Sequence, residues 1–172
     1  MKILVLNGSP RAKGNTAAMA EAFKKGAEKN GHEVDVVRVA SMNIKPCIAC
    51  EYCHTKGAGT CVQKDDMQNL YPVIAEADMI VFASPVYYFG FSGQLQSALS
   101  RFYPTMTPAK AKKFALILSS GSPNVYAGVE AQYKGMLAYF GGQDLGIRTA
   151  HGAQNGTPEV LAELEAFGES IK

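Results

Sequence analysis

The chain reads as an α/β domain, with a five-stranded parallel sheet covered by helices on both faces. Three observations carry this reading. The apolar pattern alternates between strand and helix along all 172 residues, with no internal repeat and no low-complexity break, as βα units do. Two strand candidates, Met79-Ile80-Val81-Phe82-Ala83 and Phe114-Ala115-Leu116-Ile117-Leu118, are continuous apolar runs, which suits strands covered on both faces. Glycine-bearing turns follow the first, third and fourth strand candidates, at the sheet edge where such folds bind ligands.

The elements follow in order. Residues 2–6 form a buried strand around Ile3-Leu4-Val5-Leu6. Met19, Ala22, Phe23 and Ala27 mark one face of the first helix, which Asn30-Gly31 stops. From Glu33 to Val39, Val34, Val36 and Val39 break through polar neighbours, as expected of a strand nearer the sheet edge. Asp65-Asp66 suits the N-cap of a helix carrying Met67, Leu70 and Ile74, with Pro72 kinking or splitting it. Leu95, Ala98, Leu99 and Phe102 form a helical stripe between the two central strands. A weaker strand lies near Leu145 to Ala150. In the last helix Thr157 is the N-cap, Pro158 takes the first helical position, and Val160, Leu161, Leu164, Phe167 and Ile171 make the buried face.

A chain of this length is most economically one domain, residues 1–172, able to bury about 70% of its unfolded surface. A formal charge of +2 is too small to argue for nucleic acid or an acidic membrane surface. Lys110, Lys112 and Lys113, the one basic cluster, read as a solvated helix end or loop. No apolar run approaches the ~20 residues of a membrane span, and Gly8 interrupts the N-terminus before a secretory core could form. The expected location is cytoplasmic.

The most informative segment is Gly8-Ser9-Pro10-Arg11-Ala12-Lys13-Gly14-Asn15-Thr16, a turn between the first strand and the first helix. The opening N–H groups of a helix have no internal partner, and the macrodipole adds positive charge there. Ser9, Asn15 and Thr16 add short polar side chains, Arg11 and Lys13 add cations, and Gly14 permits the turn. Such a turn suits an anion, above all a phosphate; plain capping needs only one of these side chains. The glycine spacing is one residue too long for a Walker loop, and Asn15 replaces its lysine. The dinucleotide fingerprint and a phosphatase cysteine are both missing from the loop. What remains is a metal-free grip on a phosphate monoester, which fits the ribityl phosphate of FMN.

A second turn, Ser84-Pro85-Val86-Tyr87-Tyr88-Phe89-Gly90, offers a stiff proline, a flat aromatic wall and, at Gly90 and Gly93, close backbone approach. An isoalloxazine ring needs such a wall, although aromatics also suit a subunit contact. A third turn, Ser119-Ser120-Gly121-Ser122-Pro123-Asn124, presents hydroxyls and Gly121 to the far side of the same pocket.

All four cysteines, Cys47, Cys50, Cys53 and Cys61, crowd into one long connection over residues 40–64. The C-x2-C-x2-C run suits iron–sulfur ligation, with Cys61 as fourth ligand. Zinc competes, although its sites usually pair two C-x2-C turns, and a loop packed at a subunit boundary with no metal is the third reading. His32, His54 and His151 have no partner at motif spacing.

The set GSPRxxGNT, CxxCxxC, DDM and SPVYxxxxSGQL, running from Met1 to about Phe102, closely resembles the NAD(P)H-dependent FMN reductases and iron–sulfur flavoproteins of the flavodoxin-like superfamily. The resemblance implies a three-layer sandwich with strand order 2-1-3-4-5 and non-covalent FMN. Ser9, Arg11, Asn15 and Thr16 would hold the phosphate, and Pro85, Val86, Tyr87 and Tyr88 would line the ring. It further implies reduction by NAD(P)H, a quinone-like or other small acceptor, and a homodimer or homotetramer. With a [4Fe-4S] cluster on the cysteines, the alternative is electron exchange with a ferredoxin-like partner; a flavodoxin-type carrier is another. Phe91, Gln96 and Ser100 depart from residues common in relatives.

Overall fold

The computed structural model describes residues 1–172. Its strands are β1 (Lys2–Asn7), β2 (Glu33–Arg38), β3 (Met79–Tyr87), β4 (Gly90–Phe91), β5 (Lys113–Ser120) and β6 (Gln143–His151). Its helices are α1 (Asn15–Lys29), α2 (Met67–Glu76), α3 (Gly93–Ser100), α4 (Ala127–Phe140) and α5 (Pro158–Glu169). The sheet order is β2-β1-β3-β5-β6, parallel throughout, with β4 paired antiparallel to the end of β3. With that short hairpin strand set aside, the order is the 2-1-3-4-5 expected from the resemblance.

Strand alternation divides the core in two. Leu4, Leu6, Ile80, Phe82, Phe114, Leu116 and Leu118 face α2, α3 and α4. Ile3, Val5, Met79, Val81, Ala83, Ala115 and Ile117 face α1 and α5. The central strands therefore need apolar residues on both faces, and Ile3 to Leu6, Met79 to Ala83 and Phe114 to Leu118 supply them. The edge strands β2 and β6 are only partly buried.

Glycine sets the distance between α1 and α5. A Cβ on Gly26 would run into the Glu165 carbonyl, and one on Gly168 into the Phe23 carbonyl. The two helices touch backbone to backbone, flanked by Lys25 and Lys29 paired with Glu165. Gly26→Ala should destabilise the fold by about 1–3 kcal/mol, because rigid backbone cannot give way. Urea denaturation of both proteins measures this, and an unchanged midpoint would contradict the packing.

Two local expectations change. Helix α2 runs unbroken through Pro72. Asp66 makes no capping bond to that helix; its Oδ2 instead accepts the Asn43 N–H at 2.7 Å. Asp65 does receive the Met67 N–H at 3.2 Å, yet its main partner is the buried Arg101. The expected cap is thus chiefly a clamp on the preceding loop, because a buried guanidinium competes for the carboxylate. Thr157 and Pro158 start α5 as expected, the Thr157 hydroxyl accepting the Val160 N–H.

Candidate functional site

A cavity of about 260 Å³ opens at the carboxyl edge of the sheet, where the turns after β1, β3, β5 and β6 meet. Ser9, Arg11, Gly14, Asn15 and Thr16 form its first wall. The turn is shaped from within: Asn7 Oδ1 accepts the Ser9 N–H at 2.9 Å, Ser9 Oγ accepts the Arg11 N–H at 3.3 Å, and the Gly14 N–H donates to Arg11 O at 3.1 Å. Helix α1 begins without a side-chain cap. The N–H groups of Asn15, Thr16 and Ala17 donate to no protein acceptor, while Ala18 is the first to bond back into the turn. A helix start left open beside an arginine is an anion seat.

Pro85, Val86 and Tyr87 form the second wall. Their height is set by Ser84 and Ser92. Ser84 Oγ accepts the Ser92 N–H at 3.0 Å, and Ser92 Oγ donates to Gly8 O at 2.7 Å, tying the β3 turn to the β1 turn. Beyond Tyr87 the chain reverses through Tyr88 and Phe89, whose φ angles are 51° and 66°. Two consecutive left-handed residues between paired Tyr87 and Gly90 make a type I′ hairpin turn.

That turn corrects part of the expected site. Tyr88 is 99% exposed and lies outside the cavity wall, because the hairpin throws its ring into solvent. Gly90 lies on the returning strand and Lys13 is exposed, and neither is among the residues lining the cavity. Ser9, Arg11, Gly14, Asn15, Thr16, Pro85, Val86, Tyr87 and Gly121 do come together there.

Ser119 and Ser120 of the third turn join the lining with their hydroxyls, and two further lining residues, Gly152 and Asn155, were not anticipated. The Ser119 and Thr16 hydroxyls lie 2.7 Å apart, joining the β5 turn to the start of α1. Ser120 Oγ lies 2.7 Å from the Tyr126 hydroxyl, which donates to Ala150 O at 3.0 Å. Gly152 and Asn155 bring in a fourth turn, between β6 and α5. The available signal was positional: a fifth parallel strand must deliver its following turn to the same edge. No Asp, Glu, His or Cys lines the cavity. Arg11 is its one charged side chain, so the lining is cationic and carries no carboxylate, imidazole or thiol.

The cysteine loop is built separately. Cys47, Cys50, Cys53 and Cys61 all line a second space of about 20 Å³, with Arg101, Tyr103 and Pro104 among its walls. Ala49 and Glu51 are left-handed, with φ of 52° and 55°, and the Ala49 N–H points at Cys47 Sγ at 3.4 Å. Burial pushes the Cys53 thiol above its ordinary value. The Glu51 carboxylate raises the Tyr103 phenol that donates to it. No three Cys, His, Asp or Glu side chains are grouped so as to hold a metal ion. The thiols share a space without forming a ligand set, and as placed they do not fit a cluster.

Comparison with known proteins agrees with this geometry. The NADPH-dependent FMN reductase family matches residues 1–154. An iron–sulfur flavoprotein of Archaeoglobus fulgidus is 38% identical over 130 residues, covering 75% of this chain and 56% of that protein. A second from the same organism is 31% identical over 146 residues, covering 83% of this chain and 70% of that protein. The chain thus spans little more than half the length of the first of these relatives. Among solved structures, RosB with bound 8-demethyl-8-formylriboflavin-5′-phosphate superposes with a TM-score of 0.80 at 19% identity, over 99% of this chain and 76% of that one. The NAD(P)H:quinone oxidoreductase of Methanothermobacter marburgensis gives 0.72 at 17% identity, over 100% and 99%. Both show a shared flavodoxin-like fold. No helix is long and apolar enough to cross a membrane. Matched across residues 1–154, the chain belongs to the NADPH-dependent FMN reductase family.

Proposed function

We propose that the cavity holds FMN and that the protein is an oxidoreductase passing electrons from NAD(P)H to a small quinone-like acceptor. The observation that carries this reading is one cavity joining an open helix N-terminus and an arginine to a proline–valine–tyrosine wall. The phosphate sits at the start of α1, held by Arg11, Asn15, Thr16 and the free N–H groups. Ser9 shapes that turn. The ring lies against Pro85, Val86 and Tyr87, with Gly121 at the far side. FMN, when bound, supplies hydride acceptance and electron transfer, which the side chains here cannot provide. The protein binds the phosphate, orients the ring and leaves one ring face open to donor and acceptor. The reaction belongs in the cytoplasm, and a homodimer or homotetramer would place the exposed hairpin against a second subunit.

FMN titrated into the apoprotein, followed by flavin fluorescence, tests the cofactor. Arg11→Ala should weaken FMN by about tenfold or more, the worth of a hydrogen bond to a charged group, and leave riboflavin unchanged. Equal affinity of wild type and variant for FMN would remove the phosphate assignment. NADPH oxidation with an added quinone tests turnover; a protein that binds FMN but oxidises neither nucleotide is a carrier of flavodoxin type.

A second reading rests on the 38%-identical relative, an iron–sulfur flavoprotein, and would require the four thiols, which as placed form no ligand set, to close around a metal. It is an iron–sulfur flavoprotein exchanging electrons with a ferredoxin-like partner, and zinc is the competing metal. Anaerobic purification with iron, sulfide and zinc analysis decides among the three states of the loop.

A further inference from the structure

The thiol loop takes no part in the flavin cavity: no cysteine lines that cavity, and Cys47, Cys50, Cys53 and Cys61 surround a space of their own. Their exposures differ. Cys53 is buried and Cys61 half-buried, whereas Cys47 and Cys50 both reach solvent. The exposed two stand at C-x2-C spacing, at which two thiols close a disulfide through a tight turn. Both also line the same space of about 20 Å³, room for about one water. No third ligand joins them in a group that could hold a metal ion. As placed, the two exposed sulfurs are a pair rather than half of a coordination shell.

The backbone treats the two cysteines differently. The Lys45 N–H donates to Asp65 Oδ2 at 3.0 Å, and Lys45 O accepts from Arg101 at 2.9 Å. Pro46 O accepts from Gln63 Nε2 at 3.0 Å, and the Cys47 N–H donates to Ser100 Oγ at 3.0 Å. Cys47 is therefore anchored at its own N–H and through both residues before it. Ile48 and Cys50, by contrast, make no backbone–backbone hydrogen bond. Left-handed Ala49 and Glu51 flank Cys50, a conformation that non-glycine residues keep chiefly where function or packing demands it. One result is that the Ala49 N–H points at Cys47 Sγ at 3.4 Å, which fixes the direction of that sulfur. One thiol thus stands on fixed chain, and the other on a turn free to swing towards it. In a reducing compartment a pair of this kind serves transient exchange rather than a permanent staple.

We propose that Cys47 and Cys50 form a thiol–disulfide exchange site that reduces low-molecular-weight disulfides and is left as an intramolecular disulfide. The Cys47 thiolate attacks one sulfur of R–S–S–R; that S–S bond breaks, a Cys47–S–S–R bond forms and RS⁻ leaves. The Cys50 thiolate then attacks Cys47 Sγ and displaces the second RS⁻. The two leaving thiolates take up the two protons that the cysteines give up. The small disulfide gains two electrons and becomes two RSH, and the cysteine pair loses two. The site does not depend on the FMN reading. Oxidised glutathione mixed with the full-length protein tests it, with alkylation of the remaining thiols, intact mass and disulfide mapping. Wild type should lose two alkylatable thiols, retain no glutathione, release two reduced glutathiones per chain and carry a Cys47–Cys50 bond. Cys50→Ser should stop one step earlier, with one glutathione held on Cys47. Cys47→Ser should form no intramolecular bond, and Cys53→Ser/Cys61→Ser should behave as wild type. Wild type that loses no thiols, keeps a glutathione adduct without closing the ring, or pairs through Cys53 or Cys61 would overturn the proposal without any variant. So would iron or zinc bound to the purified protein, with Cys47 and Cys50 unreactive until the metal is removed.

Discussion

Asp65→Ala is expected to cost about 3–5 kcal/mol of folding stability, because it strands a charge in the interior. Arg101 and Asp65 are 1% and 3% exposed, with Nη1 to Oδ2 at 2.7 Å and Nη2 to Oδ1 at 3.2 Å. Arg101 also donates to Lys45 O at 2.9 Å, and Asp65 accepts the Lys45 N–H at 3.0 Å, so the pair clamps the entrance of the cysteine loop. The double variant Asp65→Leu/Arg101→Met removes both charges and should recover most of the loss. Urea melts of the three proteins measure it; a single variant within about 1 kcal/mol of wild type would show that the clamp carries no weight. Thiol labelling gives a second readout, since a loosened loop should expose the buried Cys53.

The same pair sets a pH dependence. Burial by itself would raise the Asp65 carboxyl. The Arg101 guanidinium and the Lys45 and Met67 N–H groups outweigh burial and hold it below the usual carboxylate range. The folded state therefore keeps the proton off to lower pH than the unfolded chain, where an Asp titrates near about 3.9. This contribution is fully present above that value and is lost as pH falls through the lower folded value. Wild type should lose stability below about pH 4, and the double variant should lack that part of the acid limb.

The second large effect is a gain. Tyr88→Asn/Phe89→Gly should stabilise the protein by about 1–3 kcal/mol, because left-handed backbone strains bulky residues by roughly that much and Asn-Gly is the preferred type I′ pair. The melting temperature should rise by about 2–4 °C for each kcal/mol in a chain of this size. The rings give little back. They meet edge to face at 6.1 Å, and Tyr88 and Phe89 are 99% and 57% exposed. The hairpin stands at the cavity mouth and rests on α4, where Gly128 leaves room for the Phe89 carbonyl. Turnover with NADPH and a quinone should fall as stability rises. A melting temperature that stays level or drops would mean that the aromatic contacts outweigh the strain.

Much of this fold was legible because burial is written into residue type. Strands covered on both faces must be apolar along their covered stretch, and Ile3 to Leu6, Met79 to Ala83 and Phe114 to Leu118 are. The Thr157-Pro158 pair marks a helix start through chemistry local to it. The first turn was legible for the same reason, since Ser9, Arg11, Asn15 and Thr16 neighbour one another in sequence and in space. Harder to read were features that depend on distant partners. Asp65 looks like a simple cap until Arg101 arrives from the end of α3. Tyr88 looks like part of a ring wall until the two-residue turn sends it outward. Pro72 looks like a break, yet α2 continues through it.

The linear chain alone determined the layered sheet, its order by resemblance and the polar, glycine-bearing first turn, because these follow from periodicity and from groups only a few bonds apart. Tertiary structure decided which side chains share the cavity. Lys13, Tyr88 and Gly90 fall outside its lining, Gly152 and Asn155 join it from a fourth turn, and the four thiols surround one space without convergence. The physical reason is that parallel strands deliver all their following turns to one edge, so residues far apart in sequence meet there. Which of them face inward depends on backbone dihedrals and hydrogen bonds that residue type does not specify.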